Sequence, residues 1–160
     1  MEVLILRHGI AEDLAYNDAA RRLTEEGRRK VVLAARGLDT LDVVPTHLWT
    51  SPLTRALETA EALGLQLEIE VRDELAMAPL AELVDALREL PDTAAPLLVG
   101  HEPQLSGLAE SLVGARTGSI RLKKAGLIWL SVDLRRWPMP PATLQCLLTP
   151  AQLRGLGTRG

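Results

Sequence analysis

Residues 1–9 read MEVLILRHG, and this stretch gives the first indication of the fold. The run from Val3 to Leu6 is apolar without alternation, which is typical of a strand buried on both faces in a parallel sheet. Arg7, His8 and Gly9 follow directly at its end. Because ligands of open α/β sheets bind outside the carboxyl ends of the strands, Arg7 and His8 are candidate site residues.

Helical and strand patterns alternate along the chain after this first strand. The predicted helices run from Thr24 to Arg36 with Gly37 as the stop, from Ser51-Pro52 to Leu63 with Ser51 as the N-cap and Gly64 as the stop, from Leu80 to Leu90, from Gln104 to Val113, and from Pro150 to Leu156. The further predicted strands are Val43 to Thr50, Gln66 to Val71, Pro96 to Gly100, Leu127 to Leu134 and Thr143 to Leu148. This order predicts one α/β domain over residues 1–160, with three α/β/α layers. Its sheet is mostly parallel, flanked by helices, and ends in a C-terminal antiparallel strand pair.

Composition excludes several classes of function. The chain has 160 residues, a formal charge of −3 and only 2% aromatic residues, so neither a basic face nor a base-stacking platform for nucleic acid is expected. No apolar run is long enough to cross a membrane. The single cysteine, Cys146, excludes an internal disulfide, and we expect it to be a packed core residue in a cytoplasmic protein.

Four side chains follow the predicted strands in a way that favours an anion site. Arg7 and His8 follow the first strand, Arg55 lies in the first turn of the helix after the second, and His101 follows the fourth. Each residue alone is more often a surface or packing residue, as we expect for His47. Together at one sheet edge, two arginines and two histidines predict a pocket for a small anionic group, with phosphate the best fit.

Four motifs, in order, carry a resemblance to a known family. They are Leu6 to Gly9, Arg22 to Gly27, Thr50 to Ala60, and Val99 to Pro103. The sequence resembles the histidine phosphatase superfamily, which has a phosphoglycerate mutase-like fold. Its short length and its ending are similar to the SixA-like branch, the phosphohistidine phosphatases.

The resemblance implies a mechanism and a set of residue roles. His8 would attack phosphorus and form a phosphohistidine intermediate, while Arg7, Arg55 and His101 hold the phosphoryl oxygens. No metal and no cofactor are implied. Many superfamily members have a proton-donating Glu in a Leu-x-Glu after the third strand, whereas the comparable stretch here is Leu75-Ala76-Met77, with Glu74 as the possible substitute acid.

The missing acid and an open site favour a phosphohistidine-bearing partner protein as the substrate, since the phosphorus–nitrogen bond of a phosphohistidine is already labile and its imidazole leaves well. A small-molecule phosphomonoester phosphatase with the same nucleophile is the first alternative, and Glu74 would then act as the acid. A non-catalytic phosphate-binding module is the second. In the loop after Gly9, Asn17 and Asp18 stand too far along to be expected as phosphate ligands.

Overall fold

The computed structural model describes residues 1–158 of the chain. Its strands are β1 (Glu2–Arg7), β2 (His47–Thr50), β3 (Ile69–Val71), β4 (Pro96–Gly100), β5 (Leu127–Ser131) and β6 (Thr143–Leu148). Its α-helices are α1 (Glu25–Leu38), α2 (Thr54–Leu63), α3 (Leu80–Arg88), α4 (Gln104–Val113) and α5 (Pro150–Leu156). Short 3₁₀ turns occupy Asp18–Ala20 and Asp73–Leu75. The predicted order of elements and the α/β class are confirmed.

The strands form one mixed sheet in the order β3-β2-β4-β1-β5-β6. The first four strands of this order are parallel, whereas β5 is antiparallel to both β1 and β6, so the C-terminal antiparallel pair is confirmed. β1 lies between β4 and β5, with Leu4 opposite Leu97 on one side and Trp129 on the other. This central position explains why the β1 sequence does not alternate, because both of its faces are covered.

Helices cover both faces of the sheet, and each face has its own apolar core. Val3 and Ile5 of β1 point into one core, where Leu87 of α3 and Leu108 of α4 pack. Leu4 and Leu6 point into the other, whose helical members come from α1, α2 and α5: Val31, Ala34, Ala35, Leu38, Ala56, Ala60, Leu63 and Leu153. The period-two geometry of a strand divides its apolar residues between the two cores in this way.

Gly37 is not the stop of α1, as the sequence predicted. The helix continues to Leu38, and Gly37 is buried inside it. A Cβ atom at this position would collide with the backbone carbonyl of Leu153, so the glycine allows the close approach of α5. By contrast, Gly64 does end α2, in the left-handed conformation with a φ of 64°.

Ser51 is not the N-cap of α2, which is a second correction. The helix begins at Thr54, its N-cap is Leu53, and no side chain caps its first turn. The Ser51 hydroxyl accepts a hydrogen bond from the Leu53 amide, at 3.3 Å, in a turn ahead of the helix. Its side chain is therefore free to face the neighbouring strand end, where it meets His101.

Several predicted elements are shorter in the structure, and the edge of the sheet explains part of this. The Gln66 to Val71 prediction shortens to three residues because β3 is an edge strand that pairs only with the short β2. Pro45 lies ahead of β2 and cannot donate to the ladder. β5 ends at Ser131 and α3 at Arg88. Cys146, expected in the core, is only half-buried because it lies on the other edge strand, β6.

Candidate active site

The carboxyl ends of three neighbouring parallel strands meet at one edge of the sheet. Arg7 of β1 lies opposite Gly100 of β4, and Thr50 of β2 lies opposite Val99 of β4. The residues that follow these ends, His8 and His101, therefore approach each other. Their rings are tilted by 49°, with 5.1 Å between the ring centroids. Both side chains are buried, although they lie outside the ends of the strands.

His8 is held in a single tautomer by its backbone and is kept neutral by burial. Nδ1 lies 2.7 Å from the Gly9 carbonyl oxygen, which can only accept, so Nδ1 carries the proton. Burial lowers the pKa of His8 to about 3, and the charges of His101, Arg55 and Arg7 act in the same direction against the Gly9 bond. His8 is therefore neutral at physiological pH, with the Nε2 lone pair free to act as a nucleophile.

Thr59 links the backbone at His8 to helix α2. Its hydroxyl accepts a hydrogen bond from the Gly9 amide at 3.0 Å and donates one to the Arg55 carbonyl at 2.6 Å. A Cβ atom at Gly9 would lie 2.8 Å from a methyl group of Val31, so only glycine lets this backbone pack against α1. The buried Thr59 hydroxyl thus fixes the peptide between His8 and Gly9, next to the Gly9 carbonyl that orients His8.

Arg55 projects from the first turn of α2 and is buried. Its terminal nitrogens donate to Asp18 twice, to the carbonyl oxygen at 2.7 Å and to the carboxylate at 2.9 Å. Hydrogen bonds from Arg21 and Arg55 lower the pKa of Asp18. Asp18 was expected to lie too far along its loop to bind phosphate. The Asp18–Ala20 turn brings it instead to Arg55, whose guanidinium group it positions.

Arg7 is anchored at one end of its guanidinium group only. Nη1 donates to the Leu122 carbonyl at 3.1 Å, while the buried Nε has no hydrogen-bond partner among residues 1–158. Burial lowers the pKa of Arg7, and the nearby carboxylate of Glu102 opposes that shift. An Arg N–H that is buried without an acceptor is costly, and an anion would satisfy it.

His101 shows the same pattern, with one ring nitrogen bonded and the other without a partner. Nε2 lies 2.7 Å from the Ser51 hydroxyl oxygen, and the buried Nδ1 has no partner in the part of the chain that the structure describes. Burial lowers the pKa of His101 to about 4, the charge of Arg55 lowers it further, and Asp18 opposes both. His101 is thus a neutral ring with one nitrogen uncommitted.

Glu74, the possible substitute acid, belongs to the Asp73–Leu75 turn after β3. Its carboxylate accepts a hydrogen bond from Arg72 at 3.2 Å. Within residues 1–158 it makes no hydrogen bond to His8 or His101. Gln104, the first residue of α4, holds this segment through bonds to the Glu74 and Ala78 carbonyls and fixes where the carboxylate can reach.

The described residues include no group of three or more His, Cys, Asp or Glu side chains placed to hold a metal ion. His47, as expected, lies away from the site: it is in β2, where its Nδ1 meets the Thr46 hydroxyl.

None of the helices described in residues 1–158 is long and apolar enough to span a membrane.

Comparisons with known proteins agree with this geometry. Residues 3–78 match the family described as the histidine phosphatase superfamily (branch 1). An uncharacterized protein of Picosynechococcus is 37% identical over 141 residues, covering 81% of this chain and 84% of the relative. A phosphohistidine phosphatase SixA homolog of Haemophilus influenzae is 28% identical over 134 residues, covering 72% and 79%.

A solved structure extends the similarity to almost the whole chain. The protein histidine phosphatase SixA, complexed with tungstate, superimposes with a TM-score of 0.85 at 26% identity and covers 96% of this chain and 99% of that one. The chain belongs to the histidine phosphatase superfamily. Within that superfamily it is SixA-like, as its motifs predicted.

The structure brings together Arg7, His8, Arg55 and His101, the four residues that the sequence placed at the sheet edge. Three supporting groups were not predicted as part of the site: the Ser51 hydroxyl, Asp18 and the Leu122 carbonyl. Thr59 was quoted within a motif without a role, although its spacing of four from Arg55 places both on one face of α2. A backbone carbonyl such as that of Leu122 leaves no signal in a sequence.

Proposed function

We propose that residues 1–160 form one metal-independent phosphatase domain, which removes phosphate from phosphohistidine in a partner protein through a phosphohistidine intermediate on His8. One observation carries this proposal. The unprotonated Nε2 of His8 lies at a site where two buried nitrogens, Arg7 Nε and His101 Nδ1, have no partner among the described residues. A nucleophile beside unsatisfied donors fits transfer of an anionic phosphoryl group.

The reaction proceeds in two displacements at phosphorus. Nε2 of His8 forms a bond to phosphorus while the bond from phosphorus to the substrate imidazole breaks. The substrate ring carries a proton from solvent on its other nitrogen, so it leaves as neutral imidazole. Water then attacks the phosphohistidine, its proton passes to solvent or phosphate, and free phosphate leaves His8 neutral again. The Gly9 carbonyl holds the Nδ1 proton throughout and disperses the charge that develops on the ring.

Arg7 and Arg55 neutralise the charge of the transferring group, and the neutral ring of His101 contributes a hydrogen bond. Both arginines carry a planar fork suited to phosphoryl oxygens, and the burial of Arg55 strengthens its contact because water competes less there. Arg55 is already oriented by Asp18, so little ordering is needed when phosphate arrives. Most of the catalytic effect is therefore placement and electrostatics, as is usual in phosphoryl transfer.

The choice of a phosphohistidine substrate is supported by the leaving group. An alkoxide needs a proton donor, whereas imidazole is a good leaving group once protonated by solvent. Glu74 is engaged with Arg72 and makes no hydrogen bond to His8 or His101 within residues 1–158. The similarity to a phosphohistidine phosphatase SixA homolog and to a SixA structure supports the same choice. The single cysteine supports action in the cytoplasm, where thiols stay reduced.

A substrate panel tests the proposal. We expect kcat/KM for a phosphohistidine-bearing phosphocarrier protein to exceed that for sugar phosphates and phosphoglycerate by about 100-fold or more, since one proton donor contributes about that much. Glu74→Gln should leave both rates within about twofold. A reversed ranking, together with a large loss in Glu74→Gln on the esters alone, would favour a small-molecule phosphomonoester phosphatase. Phosphate binding without any turnover would favour the non-catalytic module.

A further inference from the structure

The Ser51 side chain has a place in the site that a helix-capping role does not explain. It is fully buried, and its hydroxyl oxygen lies 2.7 Å from His101 Nε2. The Leu53 amide donates to the same oxygen at 3.3 Å. These two are the hydrogen bonds that the Ser51 hydroxyl makes within residues 1–158. The direction of the bond to His101 therefore determines the state of that ring.

Only one arrangement gives the Ser51 hydroxyl hydrogen an acceptor. The oxygen accepts from the Leu53 amide, so its own hydrogen is available for Nε2. If His101 donated instead, the buried hydroxyl hydrogen would have no acceptor among the described residues, which is costly. A neutral imidazole with Nε2 as acceptor carries its hydrogen on Nδ1.

We propose that Ser51 is a positioning residue that fixes His101 in the Nδ1–H tautomer, so that the neutral ring donates a hydrogen bond to the transferring phosphoryl group. The target of that bond rests on the proposed function, whereas the tautomer follows from the Ser51 contacts alone. Nδ1 is the ring nitrogen without a partner in residues 1–158, so the tautomer turns it into an unsatisfied donor on a ring whose centroid lies 5.1 Å from that of His8.

The arrangement gives His101 a role that does not depend on its charge. Burial lowers its pKa to about 4, and the Arg55 cation acts in the same direction, so the ring is neutral at physiological pH. A neutral histidine donates from one nitrogen only, and the wrong tautomer would point a lone pair at the phosphoryl oxygens. Ser51 thus selects one of the two neutral tautomers, in which Nδ1 of His101 is the donor.

The tautomer can be measured in the wild-type protein without any assay of activity. Long-range proton–nitrogen spectra of the ¹⁵N-labelled full chain distinguish protonated from unprotonated ring nitrogens. His47→Gln and His101→Asn variants assign the signals. We expect a protonated Nδ1 and an unprotonated Nε2 for His101. The opposite pattern in the wild-type chain would overturn the proposal.

Two matched hydroxyl deletions extend the test to function. Ser51→Ala should populate the Nε2–H tautomer of His101 and lower kcat by about 10- to 100-fold with a small change in KM, as expected for a donor used in the transition state. Ser111→Ala, at an exposed position of α4, should change neither the His101 tautomer nor kcat. An unchanged His101 tautomer in Ser51→Ala would overturn the role of Ser51. A wild-type chain with the Nδ1–H tautomer but no phosphatase activity would refute the proposed function while leaving the tautomer assignment in place.

Discussion

The carboxyl ends and the amino ends of the parallel strands form two opposite edges of the sheet, and these two edges bury different kinds of side chain. At the carboxyl ends of β1, β2 and β4, buried residues are polar or charged, with His8, Arg55 and His101 among them. At the amino ends of β2 and β3, a groove is lined mainly by apolar residues such as Leu38 and Val43. Both edges belong to the same sheet, so the difference reflects what each edge is used for.

The comparison indicates where the molecule gives up stability for chemistry. Buried nitrogens without partners at the carboxyl edge are costly, whereas apolar burial at the opposite edge is favourable. Because the pKa values of His8 and His101 are lowered, the unfolded chain binds more protons below about pH 6.5. The free energy of unfolding therefore falls as the pH falls through that window. Substitutions at the two edges should have opposite consequences.

The largest effect is expected from His8→Ala. Loss of the attacking nitrogen should reduce turnover of phosphohistidine protein by about 10⁴-fold or more, as for other nucleophile deletions. Because a group with a lowered pKa is removed, the fold should be retained with an unchanged or higher Tm. Steady-state kinetics and thermal unfolding measure the two results. Wild-type turnover in the variant would remove His8 from the mechanism.

Arg55→Lys should have the next largest effect. Lysine keeps the positive charge but cannot donate from a planar fork, so kcat/KM should fall by about 10²- to 10³-fold. Inhibition by vanadate should weaken in parallel, because vanadate imitates the five-coordinate phosphorus. Arg136→Lys, at an exposed position, is the matched control and should change neither kcat/KM nor inhibition by vanadate. Equal kinetics in the two variants would contradict a role for Arg55 at the phosphoryl group.

Leu38→Ala tests the opposite edge of the sheet. Leu38 is 3% exposed in the core beneath α1, and its truncation should lower the free energy of unfolding by about 2–5 kcal/mol. The kcat of the molecules that remain folded should stay within about twofold of wild type, since the active site lies at the other edge. Urea unfolding and active-site titration separate these quantities. A large loss of kcat with normal stability would mean that the edges are not independent.

The pH dependence of the rate should show the smallest change. A histidine with the ordinary pKa of about 6.5 would lose nucleophilicity as the pH falls from 7 to about 5. The pKa of His8 is lowered to about 3, so its Nε2 stays unprotonated over this range. We expect kcat/KM to vary by less than about twofold, once titration of the substrate is subtracted. A decline with an apparent pKa near about 6.5 would show that His8 is not shielded as described.

Much of the fold followed from local sequence signals. The bounds of β4, α4, β6 and α5 were predicted to the residue, because Pro96, Gly100, Gly114 and Pro150 mark them in the sequence. The predictions failed where tertiary packing decides. Gly37 resembles a helix stop, yet its place inside α1 depends on the approach of α5 from the far end of the chain.

The active site likewise contains residues that the sequence predicted and contacts that it did not. The four residues at the sheet edge could be predicted because strand ends and motifs place them there. Their supporting contacts could not: Asp18 reaches Arg55 from 37 residues away, and Ser51 meets His101 across 50 residues. Ser51 was misread because a serine before proline satisfies the local pattern of an N-cap, whereas its hydroxyl is used across the sheet.

Direct observation of the covalent intermediate tests the central claim best. The wild-type chain is mixed with a phosphohistidine-bearing phosphocarrier protein, quenched in alkali within milliseconds, and its peptides are analysed by mass spectrometry for phosphate. We predict one phosphoryl group on His8, stable to alkali, labile to acid, and lost as inorganic phosphate is released. Turnover with the phosphoryl group on another residue, or with no phosphorylated His8 at any time, would contradict the account.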